Sequence, residues 1–265
     1  MANYSFLTFF SFLSVLLASS SLLANASPIS GLDLGLPEDC EAQVLTKCTV
    51  PNTVALTFDD GPYVYLKQVL DTLNEEGIKG TFFFNGNNFA CIYSEEIVPA
   101  VKYAFETGHE IASHTWGHKN LSTLSWDEIH HEMFLVERAL EKIVGVTPAL
   151  MRPPFGEHNL LVRQASKLRG QTIVNWDFDS EDARAASVEE QKALYDEVVA
   201  RRPESILSLQ HEVHESSVFE VLPYAIKVLK EAGYNFVTVS ECLGGIQPYQ
   251  RVMEPSERDE TWVCE

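Results

Sequence analysis

The feature that most constrains the fold is an alternation: seven short apolar runs separated by amphipathic segments with helical spacing. Short apolar runs bounded by turn residues read as strands buried on both faces. Strands that alternate with helices form a parallel sheet joined by helical crossovers. Strands are expected over 54–58, 80–84, 110–112, 149–152, 172–176, 205–209 and 236–239. Helices are expected over 64–76, 95–107, 160–168, 187–200 and 218–231. A further helix follows Ser125, whose Ser-x-x-Glu pattern with Glu128 is a capping box; Ile129, Met133, Val136, Leu140 and Ile143 line its apolar face. The pattern alone leaves an open doubly wound sheet and a barrel as alternatives.

The ends of the chain read differently. Residues 1–26 contain no Asp, Glu, Lys or Arg, run apolar from 6 to 18 and close on Ala24-Asn25-Ala26, the features of a secretory signal peptide. Residues 27–52 are expected to form a loose arm, 53–244 the folded domain and 245–265 a polar tail packed on it. Five cysteines, Cys40, Cys48, Cys91, Cys242 and Cys264, follow the leader. Their placement suggests bridges between the two ends of the domain, Cys48–Cys242 and Cys40–Cys264, with Cys91 left single. The formal net charge of −19 argues against nucleic acid and anionic membranes as partners and is compatible with a neutral or cationic polymer. A secreted monomer is expected.

The chemistry sits where the strands end. Asp59 and Asp60 follow the first strand, and Gly61-Pro62 turn the chain away. His114 and His118 follow the third, Arg152 and the Pro153-Pro154-Phe155-Gly156 turn the fourth, Asp179 and Asp182 the fifth, and His211 the sixth. In a barrel of parallel strands these ends gather on one face. His114 and His118, four apart, are expected on one helical turn. With one carboxylate they make a two-His, one-carboxylate set suited to Zn²⁺ or another first-row divalent ion. Adjacent aspartates can divide the labour, one binding the metal and the other facing the water it activates. Arg152 can keep the base carboxylate ionised, His211 can protonate a leaving group, and Asp179 or Asp182 can hold Arg152 or His211. A backbone N–H of the Pro-Pro-Phe-Gly turn can face an oxyanion. These parts describe metal-assisted hydrolysis of an ester or amide.

In this order, Thr57-Phe58-Asp59-Asp60-Gly61-Pro62, Ser113-His114-x-x-x-His118, Arg152-x-Pro154-Phe155, Asp179-x-x-Asp182 and Leu209-x-His211 resemble the five motifs of the polysaccharide deacetylases, carbohydrate esterase family four. Within that family the cysteine placement and the C-terminal segment look like secreted fungal chitin deacetylases. The resemblance covers about residues 53–244. It implies a distorted (β/α) barrel of about seven parallel strands. It also implies Asp59 as general base, and Asp60, His114 and His118 as ligands of Zn²⁺, with Co²⁺ or another first-row ion as a substitute. Arg152 would orient Asp59, the Phe155 N–H would join the oxyanion hole, Leu209 would line the acetyl pocket and His211 would be the acid. Chitin or chitooligosaccharides would be the substrate, giving acetate and a free amino sugar. The sequence departs from the family at Ala183, where the fourth motif usually ends in Trp; Trp176 or Trp116 can supply that wall. Phe155 replaces a frequent Tyr, which leaves a backbone N–H unaffected. An acetylxylan esterase, a peptidoglycan deacetylase and a non-catalytic chitin-binding protein are the competing readings. Asn120-Leu121-Ser122 is a glycosylation sequon next to His118.

Overall fold

The structure is a computed structural model that describes residues 40–264 together with Met1; the expected leader and the arm before residue 40 lie outside the described residues. In chain order the elements are β1 (Val44–Leu45), β2 (Thr53–Ala55), β3 (Thr57–Asp59), α1 (Leu66–Glu75), β4 (Thr81–Phe84), α2 (Val98–Glu106) and β5 (Glu110–Ser113). There follow α3 (Trp126–Val144), β6 (Val146–Pro148), β7 (Leu150–Met151), α4 (Leu160–Leu168), β8 (Thr172–Val174) and β9 (Phe178–Asp179). The last are α5 (Val188–Arg201), β10 (Ser205–His211), α6 (Leu222–Glu231), β11 (Asn235–Phe236), α7 (Val239–Cys242) and β12 (Tyr249–Val252).

The main sheet is parallel and runs β1-β8-β7-β5-β4-β3-β10-β2-β11. It bends into a distorted (β/α) barrel. From β8 the chain passes through residues 175–177 into β9, and β9 pairs with β10 at Ser208↔Phe178 and Leu209↔Asp179. β10 is also the neighbour of β3, so the ring returns to its own first strand. The expected first strand splits into β2 and β3 at Leu56. β10 follows both halves, pairing Leu207 with Ala55 and His211 with Asp59. Ser208 bridges the break: its hydroxyl donates to Ala55 O at 3.2 Å and accepts from the Thr57 N–H at 3.3 Å.

Strand period two sorts the side chains. Ala55, Phe83, Ala112, Leu150, Val174 and Leu207, one from each of six strands, are buried together as an interior cluster. Outward-facing Val54, Phe58, Phe82, Phe84 and Ile111 pack with Leu66, Val69, Leu70 and Leu73 of α1 and with α2, α3 and α6 in the larger core between sheet and helices. The helix signals hold at their ends. Glu128 Oε2 accepts from the Ser125 N–H at 2.9 Å, and the Ser187 hydroxyl accepts from the Glu190 N–H at 3.2 Å.

Several expectations are corrected. The strand expected over 236–239 ends at Phe236, because Thr238 and Glu241 form a capping box that opens α7. Residues 217–221 form a π-helical turn ahead of α6 rather than its first α turn. The arm is not loose where it is described: β1 extends the sheet, with Val44 opposite Ile173. The tail adds β12 antiparallel to β6 and buries Trp262 against Tyr93, centroids 5.5 Å apart.

The cysteines pair as Cys48–Cys242 and Cys91–Cys264, and Cys40 is free. The pairing expected for Cys40 and Cys264 is therefore wrong, and Cys91 is not the single one. The tail is drawn to the loop after β4: Arg258 Nη2 donates to Tyr93 O at 2.6 Å, and Trp262 lies on the same residue. That leaves Cys264 beside Cys91, with Cα atoms 5.8 Å apart. Among the described residues no helix is long and apolar enough to cross a membrane. A non-reducing peptide map should recover the two bridges and an alkylatable Cys40; a Cys40–Cys264 peptide would contradict the fold. Removing Cys48–Cys242 should cost about 2–5 kcal/mol in denaturant unfolding.

Candidate active site

Two residues beyond the apolar interior cluster, the same inward alternation becomes polar. Ala55 is followed at that spacing by Thr57 and Asp59, Phe83 by Asn85, Ala112 by His114, Leu150 by Arg152, and Leu207 by Leu209 and His211. A parallel barrel therefore delivers these groups to one end. They border a cleft of about 330 Å³ whose lining includes Asp59, Asp60, His114, His118, Leu209 and His211, with Phe155 and Asp179 on its wall. Arg152 and Asp182 are absent from the lining; both are buried behind it.

Arg152 is fully buried, its guanidinium 4.1 Å from the Phe83 ring centroid. Its Nη1 donates to Asp59 Oδ1 and Thr57 Oγ1, both at 2.7 Å. Nε donates to Val174 O at 2.9 Å, and Nη2 to Asn175 O at 3.0 Å. The Thr57 hydroxyl in turn donates to Ser208 O. A buried charge needs such partners. Asp59 is thus fixed through Oδ1, while Oδ2 faces His114 Nε2 at 3.7 Å.

Asp60 faces the same ring with an oxygen of its own. Its Oδ1 lies 3.1 Å from His118 Nε2 and 3.5 Å from His114 Nε2, and the three ligand atoms are within 4.8 Å of one another. His114 Nδ1 is 2.7 Å from Arg152 O, a carbonyl that can only accept, so the neutral ring carries its proton there and turns the Nε2 lone pair inward. Buried Asp60 Oδ1 is left without a hydrogen-bond donor. Lone pairs converging on an orphaned carboxylate oxygen fit a cation. The two histidines do not share a helical turn. Thr115 (φ 71°) and His118 (φ 53°) are left-handed, and that irregular loop brings the rings to 5.0 Å between centroids.

Across the cleft, Asp182 is the residue that holds His211. Asp182 Oδ1 accepts from His211 Nδ1 at 2.7 Å, and Oδ2 accepts from the His211 N–H at 2.7 Å and the Ser217 hydroxyl at 3.0 Å. Burial would lower His211, but this carboxylate, with Asp59 and Asp60 behind it, pushes it up to about 9. Asp179 takes neither expected partner. Its Oδ1 accepts from the Glu181 N–H at 2.8 Å, and Oδ2 is 3.8 Å from Arg184.

The walls follow from backbone shape. Asp60, Thr115, His118, Phe155, Glu181 and Ala185 all have positive φ, and each lies in a loop leaving the polar end of the barrel. Side-chain-bearing residues adopt this region at a cost, so its concentration here marks a site the fold over-determines. Gly61 is required for space: a Cβ there would fall 1.7 Å from Glu212 Oε1. Gly156, at φ 70°, sits against Trp176, which lines the cleft with Ala183. Trp116 does not line it. That ring is buried, 6.2 Å from Tyr93. Phe155 is 62% exposed and rests on His118 at 4.8 Å between centroids. Sequence reasoning overlooked Asn85, which donates to His114 O and to Thr115 O (3.0 Å). Its position just past β4 was the available signal. Ser217 and Arg184, the latter on the cleft wall, carry no sequence signal. Asn120 caps a short 3₁₀ turn through the Ser122 N–H (3.0 Å) and donates to Glu157 at 3.1 Å.

A sequence profile described as polysaccharide deacetylase matches residues 46–174. A chitin deacetylase of Pestalotiopsis sp. is 37% identical over 221 residues, covering 83% of this chain and 72% of that protein. The structure of the chitin deacetylase from the fungal pathogen Colletotrichum lindemuthianum superposes with a TM-score of 0.74 at 31% identity, over 80% of this chain and 94% of that one. The Bc1960 peptidoglycan N-acetylglucosamine deacetylase gives a TM-score of 0.70 at 28% identity, over 79% and 96% respectively.

The buried pair yields a stability test. Arg152→Leu strands a buried carboxylate and should cost about 3–5 kcal/mol in denaturant unfolding. Adding Asp59→Asn should recover part of the loss, whereas fully additive losses would contradict the coupling.

Proposed function

This chain belongs to the polysaccharide deacetylase family, and from that premise we propose that it removes N-acetyl groups from chitin or chitooligosaccharides, using a divalent metal ion held by Asp60, His114 and His118. The observation that carries the reading is the division of labour between adjacent aspartates. Asp60 closes a two-histidine set, while Asp59 is locked by Arg152 next to it. Bound there, Zn²⁺, or Co²⁺ in its place, supplies Lewis acidity toward the acetyl carbonyl and the attacking water.

The chain's own groups do the rest. Asp59 Oδ2 takes the water's proton, and Arg152 keeps that carboxylate charged and oriented. The Phe155 N–H faces the oxyanion as the carbonyl becomes tetrahedral. His211, with Nδ1 given to Asp182, donates from Nε2 to the departing sugar nitrogen, leaving acetate and a free amine. Leu209 receives the acetyl methyl. Asp179 shapes the wall rather than the proton path, and Trp176 takes the place of the aromatic missing at Ala183. Two disulfides and the charge of −19 suit a secreted protein without nucleic-acid or membrane partners, and we infer that it acts as a monomer. The likeness to a peptidoglycan deacetylase supports a second reading, the same chemistry on N-acetylglucosamine in peptidoglycan.

Acetate release from N-acetylglucosamine oligomers should be blocked by chelator and restored by Zn²⁺. Release from acetylated xylan or peptidoglycan alone would move the substrate, and binding without release would make the protein a lectin-like binder. Asp59→Asn and His211→Ala should each lower kcat by about 10²–10⁴ in protein that still folds; Asp59→Asn, which leaves the buried Arg152 charge less well paired, should also lower the melting temperature, and near-normal turnover in either variant would refute the roles. His211 must be protonated to donate, so the rate falls as pH rises through its pKa. Asp182→Asn removes what raises that pKa and should shift the alkaline limb of the rate profile to lower pH. An unmoved limb would show that another group is the acid.

A further inference from the structure

One buried carboxylate outside the constellation reaches into it. Glu132, on α3, has a side chain only 2% exposed. Its Oε2 accepts from the Gly117 N–H at 2.7 Å, and its Oε1 pairs with Lys119 Nζ at 2.8 Å. These two partners flank His118.

The loop they belong to is secured in two parts. Residues 114–116 are held by the strand exit next to them: the His114 N–H donates to Phe84 O at 2.8 Å, and the Gly86 and Asn87 N–H groups donate to Trp116 O at 3.0 and 2.8 Å. Beyond Trp116 the hydrogen bonds described on residues 117 and 119 go to Glu132. The peptide between Gly117 and His118 then enters a left-handed residue, φ 53°, a conformation unfavourable for a side-chain-bearing residue that persists where the surroundings hold it. α3 is a stiff support for this purpose, with its N-terminus capped by Ser125 and Glu128, and with Met133 and Val136 buried next to Glu132.

We infer that Glu132 is a positioning residue for the metal site, holding the Gly117 peptide so that His118 completes the set with Asp60 and His114. The inference rests on the metal reading of that set. The Lys119 ion pair is incidental to it, because Lys119 is 60% exposed and such a pair contributes little.

The test is the affinity of the metal-free full chain for Zn²⁺ and Co²⁺, read by chelator competition and by the Co²⁺ spectrum rather than by turnover. Glu132→Asp keeps the charge but is too short to reach Gly117, and should weaken affinity about 10–100-fold. Glu132→Gln keeps an acceptor of the right length and should stay within a few-fold of wild type, as should Lys119→Met. With saturating metal, Glu132→Asp should recover turnover with an unchanged KM for the oligomer. Wild-type affinity in Glu132→Asp, or the reverse order of the Asp and Gln variants, would overturn the inference. If Asp60→Ala leaves metal affinity unchanged, the metal reading falls and takes this inference with it. If Asp60→Ala abolishes binding and Glu132→Asp does not weaken it, this inference alone falls.

Discussion

The contact on which the site depends is the buried ion pair between Arg152 and Asp59. A guanidinium with no solvent exposure is sustained here by four acceptors and the face of Phe83. Two of those acceptors are the backbone carbonyls of Val174 and Asn175, where the chain leaves β8. Two are the side chains of Thr57 and Asp59 on β3. The pair therefore ties the first strand of the ring to the segment that closes it. The Arg152 carbonyl also receives the His114 ring, so one residue fixes the Asp59 carboxylate on one side and the tautomer of a histidine on the other. Such a pair is weak evidence of net stability. Its value is geometric: with Oδ1 engaged, Asp59 has one oxygen left for chemistry, and Asp60 can serve separately.

The loops around the site carry the complementary burden. Six side-chain-bearing residues in left-handed conformations cluster where the strands end, and three of them, Asp60, His118 and Phe155, line the cleft. Asp60 has a φ of 71°, and His118 reaches to 3.1 Å from it out of a loop that is not helical. Around Asp60, Thr115 and His118 the backbone is bonded by buried side chains: Asn85 to His114 and Thr115, Glu132 to Gly117, and Glu212 to the Tyr63 N–H at 3.0 Å. The groups of the candidate site were visible in the sequence as types at strand ends; of the residues that hold them, Glu132 lies inside a helix, and Asn85 and Glu212 lie just past strands with no pattern of their own.

That difference explains what could be read in advance. Period-two and period-3.6 patterns located the strands and helices, since both periods follow from backbone geometry that every residue shares. The resemblance of the five motifs then assigned roles to residues that the barrel brings to one end. What stayed hidden depends on long-range closure. The partner of Cys264 is set by how the tail packs on Tyr93. The choice of Asp182 over Asp179 is set by the turn after β9, and the shape of the His114–His118 loop by contacts from β4 and α3. Spacing along the chain contains none of these. The arm over residues 27–52 read as loose because the two strand residues within it, Val44 and Leu45, are too few to show a period.

The central claim is that adjacent aspartates do different work, Asp60 on the metal and Asp59 on the proton. Anomalous diffraction at the zinc edge from zinc-loaded crystals tests it most directly. The account predicts one peak within bonding distance of Asp60, His114 Nε2 and His118 Nε2, with Asp59 Oδ1 still on Arg152 and outside the coordination shell. A peak coordinated by Asp59, or one lying away from both histidines, would contradict it.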